Sequence, residues 1–231
     1  MTALKILFWD IDGTILRTGK AGLYAFQKAT AEFYGVCPSF DQITTAGMTD
    51  CHIAAQIIAA VAGRQPDDKE TAALVERYID LLPAHLATRQ GFIIPPVQEI
   101  LEFIGGDSGF VQLLLTGNTA AGARAKLECY GIDHFFDFAA SAFGDGCLSR
   151  ADIAARARTN ANSRYPHVAP ADIFVIGDTP NDISCGKTIG ARTIAVATGA
   201  YSLSELVACQ PWWAVERLPE PAEFAAKLQA E

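Results

Sequence analysis

Short apolar runs alternate with helical segments over most of this chain, and this alternation restricts the folds that it can adopt. The predicted strands cover residues 4–9, 110–115, 135–140, 173–176 and 193–196. The predicted helices of the same region cover 97–104, 119–130, 150–162 and 180–189. Strands that alternate with helices form a parallel sheet with right-handed crossovers, so we predict an α/β fold.

Residues 17–90 interrupt the alternation, because they carry helical patterns and no convincing strand. Apolar residues recur at helical spacing in 23–33 and 74–82, and 52–62 is rich in alanine and isoleucine. Pro83 is expected to kink the last helix or to start a new one. The first strand precedes this block. We therefore predict an α/β core of residues 1–16 and 91–231, with an all-helical insertion at 17–90.

Two acids stand where the first strand ends. Asp10 and Asp12 follow an apolar run, and Gly13 lets the chain turn away. Parallel α/β sheets bind ligands at the carboxyl ends of their strands. Two neighbouring acids raise each other's pKa, and a divalent cation removes that cost. A calcium loop also begins Asp-x-Asp, but Ile15 and Ala21 replace its glycine and its final glutamate.

The segment 10–15, Asp-Ile-Asp-Gly-Thr-Ile, resembles the first motif of the haloacid dehalogenase superfamily. Segment 113–118, Leu-Leu-Leu-Thr-Gly-Asn, is similar to the second motif, an apolar strand that ends in threonine or serine. Segment 177–182 is similar to the fourth motif, Gly-Asp-x-x-x-Asp. The motifs occur in the superfamily's order over about the whole chain. The resemblance implies a Rossmann-like core with an inserted helical cap, as in the phosphoglycolate-phosphatase-like and β-phosphoglucomutase-like members.

This resemblance also implies an activity, that of a Mg²⁺-dependent phosphatase for small phosphorylated metabolites. Asp10 would attack phosphorus and form an aspartyl-phosphate, and Asp12 would act as acid and base. The implied phosphate-binding residues are Thr116, Gly117, Asn118 and Arg150. The implied metal ligands are Asp10, Asp12, Asp178 and Asp182. For Asp182, direct binding of the metal and a position beside the ligands are equally expected.

The chain departs from the resemblance at the third motif, which normally supplies a lysine beside the nucleophile. No lysine lies between Lys126 and Lys187. Arg150 is the best substitute, because it opens a predicted helix after the loop 143–149 and can bind phosphate through two N–H groups. Three further arginines, expected to be solvated charges, are Arg156, Arg158 and Arg164.

Composition restricts the partners. The net charge is -8 and the pI about 5.0, without a basic block, so nucleic acid is not an expected partner. No apolar run approaches the ~18 residues that span a bilayer, and the start does not resemble a signal peptide. We expect a cytoplasmic protein with its six cysteines reduced. The oligomeric state is not predicted.

Other functions share parts of this pattern. A sugar phosphomutase has the same core, and a dehalogenase normally lacks the acid at position 12. A phospho-acceptor signalling domain also clusters acids, but it is usually shorter and lacks the helical insertion. In the insertion, segment 46–50 loosely resembles a substrate loop, and with Lys20 and His52 it is expected to contact substrate. For Thr49 or Asp50 we favour a helix N-cap.

Overall fold

The computed structural model describes residues 4–146 and 149–230. Its strands are β1 (Lys5–Trp9), β2 (Leu16–Arg17), β3 (Phe92–Ile93), β4 (Phe110–Leu114), β5 (Ile173–Gly177), β6 (Arg192–Val196) and β7 (Trp213–Val215). Its α-helices are α1 (Ala21–Tyr34), α2 (Asp50–Ala62), α3 (Asp68–Thr88), α4 (Val97–Gly105), α5 (Ala120–Cys129), α6 (Arg150–Arg164), α7 (Pro180–Thr188), α8 (Leu203–Ala208) and α9 (Pro221–Gln229). Within those ranges, no helix has the length and apolar character that crossing a membrane requires.

One parallel sheet forms the core, with strand order β4-β1-β5-β6-β7. Strand β1, which lies between β4 and β5, is buried over its whole length, because alternate side chains enter the apolar layers on the two faces of the sheet. Trp9 is in register with Leu114 on one side and with Ile176 on the other. The carboxyl ends of the three strands therefore lie side by side. The predicted α/β fold is confirmed.

Side-chain caps fix where the core helices begin. The Thr119 hydroxyl accepts the Gly122 N–H at the start of α5, and the Ser149 hydroxyl accepts the Asp152 N–H at the start of α6. Thr179 and Asp182 form a reciprocal capping box at the start of α7. The predicted core helices are all present, with ends that differ by one or two residues.

The predicted strand at 135–140 is wrong. Residues Asp133–Phe135 form a 3₁₀ turn, and Asp137 Oδ1 accepts the N–H groups of Ala139 and Ala140 at 3.0 and 3.3 Å. This local bonding turns the backbone away from the sheet. Of the nearby residues, Ala142 alone makes an isolated bridge, to Leu115.

The helical insertion has an apolar core of its own between α1, α2 and α3. The rings of Phe26 and Tyr78 stack there with centroids 3.9 Å apart. Pro83 lies inside the continuous helix α3, where the sequence predicted a kink or a new helix. The short strands β2 and β3, which were not predicted, pair antiparallel where the chain leaves the core and returns to it.

The last part of the chain closes one face of the sheet. Trp213 begins β7, and its ring lies 6.3 Å from that of Phe224 on α9. Phe224 is fully buried and also lies 6.1 Å from the ring of Trp9. The helices α8 and α9 were not predicted, and Trp212 and Trp213 pack against the apolar core.

We expect Phe224→Ala to lower the free energy of unfolding by about 3–5 kcal/mol, because it leaves a cavity against Trp9 and Trp213. Phe103→Ala is the matched control, because Phe103 is 52% exposed. It should change stability by about 0.5 kcal/mol or less. Urea unfolding followed by tryptophan fluorescence measures both. Equal effects of the two changes would contradict this account of the core.

Candidate active site

Three neighbouring strands deliver the predicted polar side chains to one edge of the sheet. Asp10 follows β1, Thr116 follows β4 after one residue, and Asp178 follows β5. All three are buried. The Asp10 N–H donates to the Ile176 carbonyl oxygen at 2.9 Å, which extends the sheet up to the first acid. Residues from the first, second and fourth motifs therefore meet in one place.

Three buried acids form the centre of the site. Asp10, Asp178 and Asp182 each place a carboxylate oxygen within 4.8 Å of the others. Burial raises the pKa of Asp10, which the charge of Arg150 lowers. Burial, and next the charge of Asp10, raise the pKa of Asp178 to about 7. Buried acids so close together are unfavourable without a cation, and hard oxygen donors suit Mg²⁺.

The space around Asp178 also fits a cation. A Cβ added to Gly13 or to Gly199 would lie 2.5 or 1.6 Å from Asp178 Oδ2. Only glycine at both positions leaves this oxygen room, and Gly13 also has a positive φ of +87°. The Thr14 hydroxyl donates to the other oxygen at 3.0 Å and fixes the carboxylate. The donor set and the open space both fit Mg²⁺.

Asp182 is bonded differently from Asp178. Its Oδ2 accepts the N–H of Thr179 at 3.1 Å and the hydroxyl of Thr179 at 2.7 Å. Its Oδ1 accepts from Arg150. Since both oxygens already have donors, this geometry favours the place beside the ligands over direct metal binding.

Arg150 lies between two of the acids. It is the first residue of α6 and is buried, with Nη1 3.3 Å from Asp10 Oδ1 and Nη2 bonded to Asp182 Oδ1. The alternatives lie elsewhere. Arg156 reaches the carbonyl oxygens of Phe143 and Asp145, and Arg164 pairs with Asp137.

The loop after β4 carries the second motif. A hydrogen bond from the Thr116 side chain helps to lower the pKa of Asp10. The Gly117 N–H has no acceptor among residues 4–146 and 149–230, and Gly117 lines the cavity described below. The Asn118 amide donates to Thr116 Oγ1 at 2.8 Å and to Asp12 Oδ2 at 3.0 Å. Both of its N–H groups are thereby used, so Asn118 does not have the free donor expected of a phosphate ligand.

Lys126, to which the sequence patterns assigned no role, contacts Asp12, the second acid of the first motif. Lys126 Nζ lies 2.5 Å from Asp12 Oδ2, and its side chain is 5% exposed. Asp12 is not part of the acid group, so this geometry does not support its predicted role as a metal ligand through the carboxylate. Lys126 stands between the buried residues Ala123 and Leu127 on α5. A lysine on the apolar face of a helix was the signal available in the sequence.

A cavity of about 610 Å³ opens above the acids and extends into the helical insertion. Its apolar wall contains Leu23, Phe26, Met48, Ile53 and Tyr78. The predicted insertion contacts Lys20, Ala46, Gly47 and Asp50 also line it, whereas Thr49 and His52 do not. The Thr49 hydroxyl instead accepts the His52 N–H as the N-cap of α2, which confirms the favoured reading.

Comparison with known proteins assigns the family. The model of the haloacid dehalogenase-like hydrolase family matches residues 7–187. The chain belongs to this family. The predicted superfamily and the prediction of an enzyme are thus confirmed, and this hydrolase carries its first, second and fourth motifs in the expected order.

Relatives of this hydrolase match it over nearly their whole length. It is 26% identical to "Probable phosphatase IndB" of Dickeya dadantii, over 96% of this chain and 94% of the relative. It is 23% identical to "Phosphoglycolate phosphatase" of Mannheimia succiniciproducens, over 92% and 94%. A solved family IA, variant 3 hydrolase from Entamoeba histolytica superposes with a TM-score of 0.73, at 16% identity and full coverage of both chains. That structural likeness shows a shared fold.

We expect Mg²⁺ to raise the melting temperature of the wild-type protein, and to do so more at pH 8 than at pH 5.5. The pKa of Asp178 is about 7 without metal. Below that pH a proton competes with the cation, so affinity should fall by about tenfold per pH unit for one displaced proton. Isothermal titration calorimetry measures the affinity directly.

Two variants test this prediction. Asp178→Asn removes a candidate ligand, and Asp80→Asn is its matched control. Asp178→Asn should lose the Mg²⁺ response, whereas Asp80, an exposed acid on α3, should keep it when changed to asparagine. The same Mg²⁺-induced shift in Asp178→Asn as in the wild type would remove Asp178 from the ligand set.

Proposed function

We propose that this hydrolase is a Mg²⁺-dependent phosphatase that releases phosphate from small phosphorylated metabolites through an aspartyl-phosphate on Asp10. The observation that carries the proposal is the group around Asp10, a buried carboxylate directly after strand β1 with Arg150 at 3.3 Å. Relatives named phosphatases over almost the whole chain support the same reaction.

In the first step, an Asp10 oxygen attacks phosphorus and the bond from phosphorus to the leaving oxygen breaks. The Arg150 guanidinium, the Thr116 hydroxyl and the Gly117 N–H bind the phosphoryl oxygens as their charge shifts. Asp12 gives its proton to the leaving oxygen. Bound Mg²⁺, for which Asp10 and Asp178 are the proposed ligands, would offset the negative charge of the carboxylates and of the phosphoryl group.

In the second step, water attacks phosphorus and gives a proton to the Asp12 carboxylate. The bond from phosphorus to Asp10 breaks, and the carboxylate and inorganic phosphate are restored. Asp12 suits both steps because its side chain is 45% exposed and lines the cavity, whereas Asp10 is buried. Asp182 pairs with Arg150 and keeps its guanidinium in position during both steps.

The helical insertion serves as a cap over this chemistry. Its residues form most of the apolar wall of the cavity, and Asn181 Nδ2 of the core donates to the Gly47 carbonyl oxygen of the insertion at 2.9 Å. A closed cap keeps bulk water away during the first step. Phosphate release from a panel of phosphorylated metabolites, with and without Mg²⁺, tests the function and separates it from a phosphomutase, which retains the phosphoryl group.

Asp10→Asn should reduce phosphate release to background, because an amide does not attack phosphorus. The rate of release from 4-nitrophenyl phosphate, with Mg²⁺ present, measures this. Asp80→Asn is the matched control and should match the wild type, because Asp80 is an exposed residue of α3. Substantial turnover by Asp10→Asn would remove Asp10 as the nucleophile.

Arg150→Ala should lower kcat by about 10²-fold or more, as expected for the loss of one preorganised donor. Arg150→Lys should recover only part of the rate, because lysine lacks the forked guanidinium. Arg164→Ala is the control from the same helix and should behave like the wild type, since Arg164 is 68% exposed. Steady-state kinetics compares them, and full activity of Arg150→Ala would mean that another residue fills the third motif.

A further inference from the structure

The Lys126 ammonium is buried beside the site, and the steps above give it no role. Its side chain is 5% exposed, and Nζ lies 2.5 Å from Asp12 Oδ2 and 2.6 Å from Asn118 Oδ1. Burying an ammonium is unfavourable unless charges and acceptors compensate for it. Arg150, and not Lys126, contacts the nucleophile Asp10. The two cations therefore serve different carboxylates.

These contacts converge on one oxygen of Asp12. Oδ2 accepts from Lys126 and from the Asn118 amide, which is itself fixed by bonds to Thr116 and Lys126. In the part of the chain that the structure describes, Oδ1 of Asp12 has no donor. The Asp12 carboxylate is thus held at Oδ2, whereas Oδ1 is available to a molecule bound in the cavity.

We propose that Lys126 is a positioning residue, which together with Asn118 fixes Asp12 so that its Oδ1 faces the leaving oxygen of the substrate. This inference rests on the proposed function, since it concerns the proton transfer in that reaction. Proton transfer contributes about 10²–10⁴-fold to such rates and depends on hydrogen-bond geometry. An unheld Asp12, half exposed and flexible, would spend less time in that geometry.

A second carboxylate, from the helical insertion, helps to balance the charge of Lys126. Asp50 is buried, which raises its pKa to about 6, and the nearby charge of Lys126 acts in the opposite direction. Asp50 Oδ2 accepts the Thr119 N–H at 2.8 Å, and its own N–H donates to the Gly117 carbonyl oxygen at 2.9 Å. Lys126 thus pairs with Asp12 of the core, its charge also acts on Asp50 of the insertion, and Asp50 is itself held by backbone hydrogen bonds.

The test compares two esters of similar size, benzyl phosphate and 4-nitrophenyl phosphate, with Mg²⁺ present. The benzyl alkoxide needs a proton to leave, whereas 4-nitrophenolate needs little help. Lys126→Met should lower kcat by about 10²-fold with benzyl phosphate and by about tenfold or less with the aryl ester, at nearly unchanged KM. Lys126→Arg should restore part of the loss. Lys69→Met, a change of an exposed lysine on α3, should match the wild type.

A double variant shows whether Lys126 acts through Asp12. If it does, Asp12→Ala with Lys126→Met should be no slower on benzyl phosphate than Asp12→Ala alone. Multiplied losses in the double variant would overturn the proposal. So would equal losses of Lys126→Met on both esters, which indicate a structural role, or a raised KM at unchanged kcat, which indicates substrate binding.

Two further outcomes separate this inference from the proposed function. A wild-type protein that releases phosphate from neither ester with Mg²⁺ overturns the proposed function, and the role of Lys126 is rejected with it. A wild-type protein that is active while Lys126→Met is unchanged on both esters overturns the role of Lys126 alone. If Lys126→Met does not fold, as judged by circular dichroism, the ester ratio of Lys126→Arg decides, and an unchanged ratio rejects the role.

Discussion

The buried carboxylate of Asp10 sets the conditions for the rest of the site. It directly follows the interior strand β1, where an uncompensated charge is costly, and the surrounding elements reduce that cost. Helix α6 begins with Arg150 at 3.3 Å, and Asp182 of α7 binds the same arginine. The nearby Asp178 adds a second acid and creates the demand for a cation. The proposed nucleophile and the candidate metal site thus both follow from one electrostatic problem at the end of β1.

Much of the fold follows from local patterns that a sequence shows directly. Buried parallel strands are continuous apolar runs, and the threonine and serine caps of α5, α6 and α7 mark the helix starts. The predictions fail where the local structure is determined by distant contacts or by local polar contacts. Asp137 turns an apolar run away from the sheet, Pro83 does not start the new helix that was one of its two expected effects, and β2 with β3 exists only because residues 16 and 93 meet.

In the candidate site, too, some features follow from the sequence and others do not. The positions of Asp10, Thr116 and Asp178 follow from strand ends in register, which the alternation of elements predicts. The orientation of a side chain does not follow from that register. The Asn118 amide donates to Asp12 and Thr116, and Lys126 meets an acid 114 positions earlier in the chain. Such pairings depend on how α5 is placed beside the loop after β1, which carries Asp12.

The antiparallel pair of β2 and β3 has a consequence for how this protein can change. Leu16 is opposite Ile93 and Arg17 is opposite Phe92, so the two ends of the insertion are adjacent. Most of the apolar wall of the cavity comes from that one contiguous stretch, whereas Asp10 and Asp178 follow strands outside it. Recombination at two neighbouring points would therefore exchange the ligand preference and keep the reaction, provided that the new segment restores the contacts of Asp50 and Gly47. A fold whose insertion begins and ends at adjacent strands can therefore evolve by replacement of the whole insertion, without point substitutions around the candidate active site.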